Sequence, residues 1–169
     1  MAKGDPMETI ISNYKAFTNV VNIFVRYLSI AFFIIMVIDV ITSVFMRYVF
    51  VKPMVWGEQV AIYCMIWIAF LSASVAFRKG AHMGLDLLIN NVPDVIREII
   101  KWIANTLILG FLFIFTIWGF KHAYAVRFQS SPVVFNMSMF WAYLALPVGG
   151  VFMLIQEIGV IINGIEDEM

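Results

Sequence analysis

Four long apolar stretches divide the chain, at about residues 27–46, 57–77, 99–120 and 137–162, with short polar segments between them. Each is long enough to cross a hydrocarbon core of about 30 Å, which takes about 20 helical residues. Strands of about ten residues with alternating polarity, the mark of a membrane barrel, are missing from the sequence. Helices are therefore the predicted spanning elements, since only they satisfy every backbone group within one segment. The predicted fold is an all-α membrane protein, with residues 1–169 forming one four-helix domain.

Two further segments carry helical periodicity outside the spans. In residues 7–21, Met7, Ile10, Ile11, Tyr14, Phe17 and Val21 recur at helical spacing, while Asn13, Lys15 and Asn19 fall between them. This pattern predicts an amphipathic helix lying in the inner membrane interface. A second interfacial arm is expected at about residues 82–96, where Leu85, Leu87, Leu88 and Ile89 precede Pro93-Asp94, a helix-start signal. The stripe Val92, Val95, Ile96, Ile99, Ile100 and Ile103 predicts that this helix continues into the third span.

Composition agrees with lipid as the solvent. Of the 169 residues, 63% are hydrophobic and 13% charged, and the mean hydropathy is +0.93. A soluble domain of this size could not hide so much apolar side chain. Aromatic residues mark the span ends: Trp56 opens the second, and Trp102 and Trp118 bracket the third about 24 Å apart. Trp141 stands near the start of the fourth, whereas Trp67 falls mid-span and is expected to pack between helices. No cleavable signal peptide is expected, because the first apolar run follows Arg26, is longer than a signal core and lacks a small-residue cleavage site.

Charge sets the expected orientation. With the N-terminus inside, Lys3, Lys15, Arg26, Arg78, Lys79, Arg97 and Lys101 are cytoplasmic, and Arg47, Lys52, Lys121 and Arg127 are outside. That excess of inner cations places both termini in the cytoplasm. The net charge of zero gives no basic surface for nucleic acid. The single cysteine, Cys64, lies in an apolar run and reads as a small buried hydrophobe. The two histidines, His82 and His122, fall on opposite sides of the bilayer and cannot ligate one haem iron, so neither cofactor nor metal is expected.

Few polar side chains enter the spans. Asp39 lies about two-thirds along the first, and an intramembrane carboxylate is a functional candidate by default. Its alternatives are pairing with a neighbouring helix, with Thr42 and Ser43 one turn on, or with Arg47 two turns on. Gln156 and Glu157 stand near the inner end of the fourth span, where snorkelling or an interfacial pair is expected. His82 and Asp86 share a face if their arm is helical. Small residues are more abundant than polar ones: Ala69, Ser72, Ala73 and Ala76 in the second span, and Ala145 and Gly149 in the fourth, are spaced for close helix approach. Pro147, followed by Gly149-Gly150, predicts a kink.

Residues 47–88, "RYVFVKPMVWGEQVAIYCMIWIAFLSASVAFRKGAHMGLDLL", resemble the signature of the small, DctQ-like membrane subunit of tripartite ATP-independent periplasmic (TRAP) transporters. The pattern falls on Arg47, Tyr48, Pro53, Trp56, Glu58, Arg78, Gly80, His82 and Asp86, and "LPVGG" in the fourth span also fits. There are departures. The Trp56-x-Glu58 spacing is one residue tighter than the family's, Val51 stands where asparagine is common, and Ser72 stands near a common glycine. The strong motif covers about a quarter of the chain, and the four-span layout covers the whole.

The resemblance implies a multi-pass protein of the bacterial inner membrane, acting as a static scaffold in a sodium-coupled importer of an organic acid such as a C4-dicarboxylate or sialic acid. It implies two protein partners, a large (M-type) membrane subunit and a periplasmic substrate-binding protein, alongside membrane lipids, and no enzymatic activity. Within the signature, Arg47 and Glu58 are expected to join by an ion pair or shared hydrogen bonds, clamping two helices, or else to face the visiting binding protein with Lys52 at the tip. A self-sufficient proton-coupled carrier using Asp39 is the alternative function, and it leaves the residues outside the spans unexplained.

Overall fold

The computed structural model describes residues 6–80, 93–131 and 137–167. Helix α1 runs Pro6–Tyr48 and α2 runs Gly57–Gly80. Helix α3 covers Asp94–Ala125, with Pro93 immediately before it, as the Pro-Asp signal predicts. The two-residue strands β1 (Ser130–Ser131) and β2 (Met137–Ser138) pair antiparallel, and a short helix α4 (Phe140–Tyr143) leads into α5 (Ala145–Asp167). Four helical segments, Ile11–Tyr48, Gly57–Arg78, Ile96–Ala125 and Phe140–Ile162, are long and apolar enough to cross a membrane. The fold is an all-α membrane fold with four spans.

The helices pack in the order α1, α2, α5, α3, with α1 also touching α5. α2 and α5 therefore form the middle of the bundle, and α1 and α3 its edges. Most large side chains of the edge helices point outward: Phe33, Ile34 and Ile41 on α1 and Phe111, Phe113 and Ile114 on α3 are all exposed. The enclosed core is thin, with Val25, Leu71 and Leu112 as its largest buried aliphatic side chains. That composition suits a bundle whose outer surface is solvated by lipid.

Helix α1 is one unbroken helix of 43 residues, where the sequence pattern suggests an interfacial segment and a separate span. At 1.5 Å per residue it is about 64 Å long, so it extends beyond a bilayer of about 45 Å including headgroups. Its continuity has a physical cause. Thr18, Val25, Phe32, Asp39 and Met46, with Asn22, Ser29, Met36 and Ser43 between them, are all buried or half-buried, a heptad seam running through both parts. The seam on α2 matches it: Gly57, Val60, Cys64, Trp67, Leu71, Ser74 and Arg78. The antiparallel register is pinned at both ends, by Arg78 bonding to Thr18 and by Gly57 against Asp39 and Ser43. Three heptads separate these contacts on each helix. Midway, Trp67 stacks on Phe32 with ring centroids 5.5 Å apart and donates from Nε1 to the Trp141 carbonyl at 3.1 Å, so this mid-span tryptophan does pack between helices.

In the fourth span the regular helix is interrupted at Leu144, between α4 and α5, although Leu144 itself keeps helical dihedrals. Pro147 has no amide to offer the Tyr143 carbonyl; regular bonding restarts with the Val148 amide on Leu144 at 3.2 Å. Just beyond, Gly149 and Gly150 let α5 approach both neighbours. A Cβ on Gly149 would lie 2.6 Å from Cβ of Phe70 on α2, and one on Gly150 would collide with the Thr116 hydroxyl on α3. "LPVGG" is thus the point where the middle helix touches both sides. Of the expected small-residue stripe of α2, Ala73 is half-buried while Ala69, Ser72 and Ala76 are exposed, because the rotation that points Phe70 and Leu71 inward turns them out.

Candidate functional site

The first part of the signature, Arg47 to Glu58, lies at the connection between α1 and α2. Leaving α1, the chain turns with the Val49 amide on the Phe45 carbonyl at 2.9 Å and the Lys52 amide on the Met46 carbonyl at 3.1 Å. Val51 takes φ 51°, the left-handed region. A β-branched residue is rare there, whereas glycine and asparagine are tolerated. The departure from asparagine at this position is thus a departure at the one described residue besides glycine with positive φ. Arg47, Tyr48, Lys52 and Pro53 are exposed on this turn, and Glu58 is exposed in the first turn of α2, where a negative charge complements the helix dipole. Trp56 is half-buried and engaged with its surroundings.

The expected ion pair between Arg47 and Glu58 is not formed among the described residues. Both side chains are exposed, outside the seam. The close contact at this end is instead Gly57 against α1. A Cβ on Gly57 would collide with the Ser43 hydroxyl and lie 3.6 Å from Oδ1 of Asp39. Asp39 is only 8% exposed, and its Oδ2 has no hydrogen-bond partner among the described residues. The predicted pairings do not account for it: Thr42 donates its hydroxyl to the Ile38 carbonyl at 2.7 Å, and the Ser43 hydroxyl is itself unpartnered. Beside Asp39 an open cleft of about 320 Å³ is walled by Ile35 and Ile38 of α1, Met54 and Trp56 of the turn, and Val60 of α2.

A second polar group lies at the opposite end of the bundle. Arg78, the first residue of the inner-face motif, donates to the Thr18 carbonyl at 3.2 Å and to Oδ1 of Asn19, tying α2 to α1. Tyr14 donates its hydroxyl to the Ile155 carbonyl at 3.1 Å, tying α1 to α5. Gly80 ends α2, while His82 and Asp86, and most of the expected arm at 82–96, lie outside the described residues.

Glu157 and Gln156 are fully buried, at 0% and 1% exposure, and their side-chain polar atoms have no hydrogen-bond partner among the described residues. This corrects the expectation of snorkelling. Their height along α5 is near the span end, but the face they occupy turns into the bundle. Asn22 and Ser74, facing one another in the α1–α2 register, also carry unpartnered buried oxygens. Sequence reasoning passed over Asn22 and Ser74 as functional positions. Their signal was the heptad spacing of polar and small residues through an apolar helix.

The two polar groups sit at opposite ends, separated by a mainly apolar stretch that holds Val25, Phe32, Cys64 and Leu71, with Ser29 of α1 buried among them. Such an arrangement fastens helices at both ends of the bundle.

Comparison with known proteins fits this picture. A family model described as "Tripartite ATP-independent periplasmic transporters, DctQ component" matches residues 36–167, which include the turn, the cleft apart from Ile35, and "LPVGG". The chain is 29% identical over 118 residues to the sialic acid TRAP transporter permease protein SiaT of Haemophilus influenzae (strain 86-028NP), covering 70% of this chain and 19% of the relative. It is 22% identical over 117 residues to the sialic acid TRAP transporter small permease protein SiaQ of Vibrio cholerae, covering 69% of this chain and 67% of the relative. It is 29% identical over 98 residues to the C4-dicarboxylate TRAP transporter small permease protein DctQ of Vibrio cholerae, covering 56% of this chain and 42% of the relative. The chain thus spans about a fifth of the first of these relatives and less than half of the third. With the family model matching well over half of its residues, the chain belongs to the DctQ component family of the tripartite ATP-independent periplasmic transporters.

Proposed function

We propose that this chain is the small scaffold subunit of a sodium-coupled, binding-protein-dependent importer of an organic acid, a C4-dicarboxylate, sialic acid or a similar carboxylate. It supports a large membrane subunit that carries the substrate and helps a periplasmic binding protein to dock. The observation that carries this reading is the family match over residues 36–167. The separation of the polar groups favours a supporting role over a self-sufficient carrier, since a mainly apolar stretch lies between Asp39 and Glu157. Both termini are cytoplasmic in this reading, which puts the 48–57 turn at the periplasmic face.

Arg47, Lys52 and Glu58 are then a docking edge for the binding protein. All three are exposed at the rim. Rim charges act chiefly on association and on salt dependence. In reconstituted transporter, Arg47→Ala and Lys52→Ala should leave the membrane complex intact and raise the apparent KM for loaded binding protein. Loss of the membrane complex itself in these variants would place the residues between the two membrane subunits instead.

A further inference from the structure

We propose that the cleft beside Asp39 receives a lysine or arginine side chain from a membrane helix of the large subunit, and so marks the face of this chain that meets it. The proposal deepens the scaffold reading and rests on it. Three observations carry it. Asp39 is more than nine-tenths buried in an apolar wall, and one of its oxygens has no donor among the described residues. A buried carboxylate in this state is costly unless a charged or hydrogen-bonding partner completes it.

The cleft also has a definite chemical polarity. Thr42 spends its proton on the Ile38 carbonyl at 2.7 Å, which leaves only its lone pairs for a visitor. Asp39 and Thr42 together thus present acceptors, and the one other side chain of the lining with a polar atom besides sulfur, Trp56, is already engaged. A lysine ammonium or an arginine guanidinium is donor-only and matches such a lining.

The third observation is shape. The cleft of about 320 Å³ is otherwise apolar, walled by Ile35, Ile38, Met54, Trp56 and Val60. It suits a cation on a hydrocarbon stem, which lies along apolar surface while its head reaches the polar group. An aminophospholipid headgroup fits less well, because its phosphate would sit a few bonds from the ammonium, against these apolar walls. Ile35 and Ile38 are themselves half exposed, so the cleft, which lies between α1, the turn and α2, is open on its α1 side.

The test co-expresses the chain with a large TRAP permease subunit and measures the yield of co-purified complex. Wild type should assemble; failure of the wild-type pair would sink the scaffold reading, not this inference alone. Asp39→Asn should lower the complex on the order of tenfold or more, as expected when one member of a desolvated pair is truncated. Ile38→Trp, which fills the cleft and leaves the carboxylate in place, should lower it similarly while the thermal stability of the chain alone stays at the wild-type value. In a Cys64→Ala background, Asp39→Cys should form a disulfide with cysteine placed at one Lys or Arg position in the large subunit's membrane helices. Normal assembly by both Asp39→Asn and Ile38→Trp, or a disulfide scan without any partner position, would overturn the proposal. So would assembly that depends on phosphatidylethanolamine in the membrane and shows no such disulfide, which would assign the cleft to lipid.

Discussion

Replacing Gly149 with alanine tests whether the middle helix is held by close backbone approach. The added Cβ would stand 2.6 Å from Phe70 Cβ and 3.3 Å from the Phe70 carbonyl oxygen. Neither atom is the end of a flexible side chain, so α2 and α5 must separate. Overpacking of this kind costs about 1–3 kcal/mol. Alanine also gains helix propensity over glycine, by about 1 kcal/mol in a helix interior. Gly110 supplies the reference, because a Cβ there meets nothing within 4 Å. Both variants share the propensity gain, which cancels in their difference. Gly149→Ala should therefore be less stable than Gly110→Ala by about 1–3 kcal/mol, the contact cost alone. Reversible unfolding in mixed dodecylmaltoside and dodecyl sulfate micelles, followed by helical circular dichroism, measures that difference. Equal stability of the two variants would refute the α2–α5 approach at "LPVGG".

Val51→Asn should stabilise the chain by about 1 kcal/mol in the same assay, since it removes a β-branched residue from the left-handed region at φ 51°. Arg78→Lys should lose most of the link between α1 and α2, because a lysine cannot reach the Thr18 carbonyl and Asn19 Oδ1 with two fixed N–H groups. A loss of about 1–3 kcal/mol is expected for bonds from a charged donor, and faster proteolysis near residue 18 should accompany it. Trp67→Phe should cost about 1 kcal/mol through the lost bond to the Trp141 carbonyl while keeping the stack on Phe32, so a further Phe32→Ala change should cost more.

The four helices were legible because length and apolarity suffice to mark a span. Rotation about each helix was not. In a soluble helix the polar face marks the outside, but lipid inverts this, and the buried seam of α1 is the face that carries Thr18, Asn22, Ser29, Asp39 and Ser43. The same inversion misled the reading of Glu157, whose depth suggested snorkelling while its face is enclosed. Small residues were ambiguous for a related reason: Gly149 and Ala76 are equally suited to close packing, and only the α2–α5 register turns one inward and the other out. Arg47 and Glu58 were expected to meet because they flank a short turn. Helix ends joined by such a turn approach through their seams, here Gly57 with Asp39 and Ser43, and leave rim charges apart.

Reconstitution tests the scaffold claim most directly. Proteoliposomes carrying this chain, a large TRAP permease subunit and the binding protein would be loaded with a sodium gradient and given labelled succinate or sialic acid. The account predicts uptake with all three proteins, collapse of uptake when this chain is omitted, and none with this chain alone. Undiminished uptake without it, or uptake by it alone, would contradict the account.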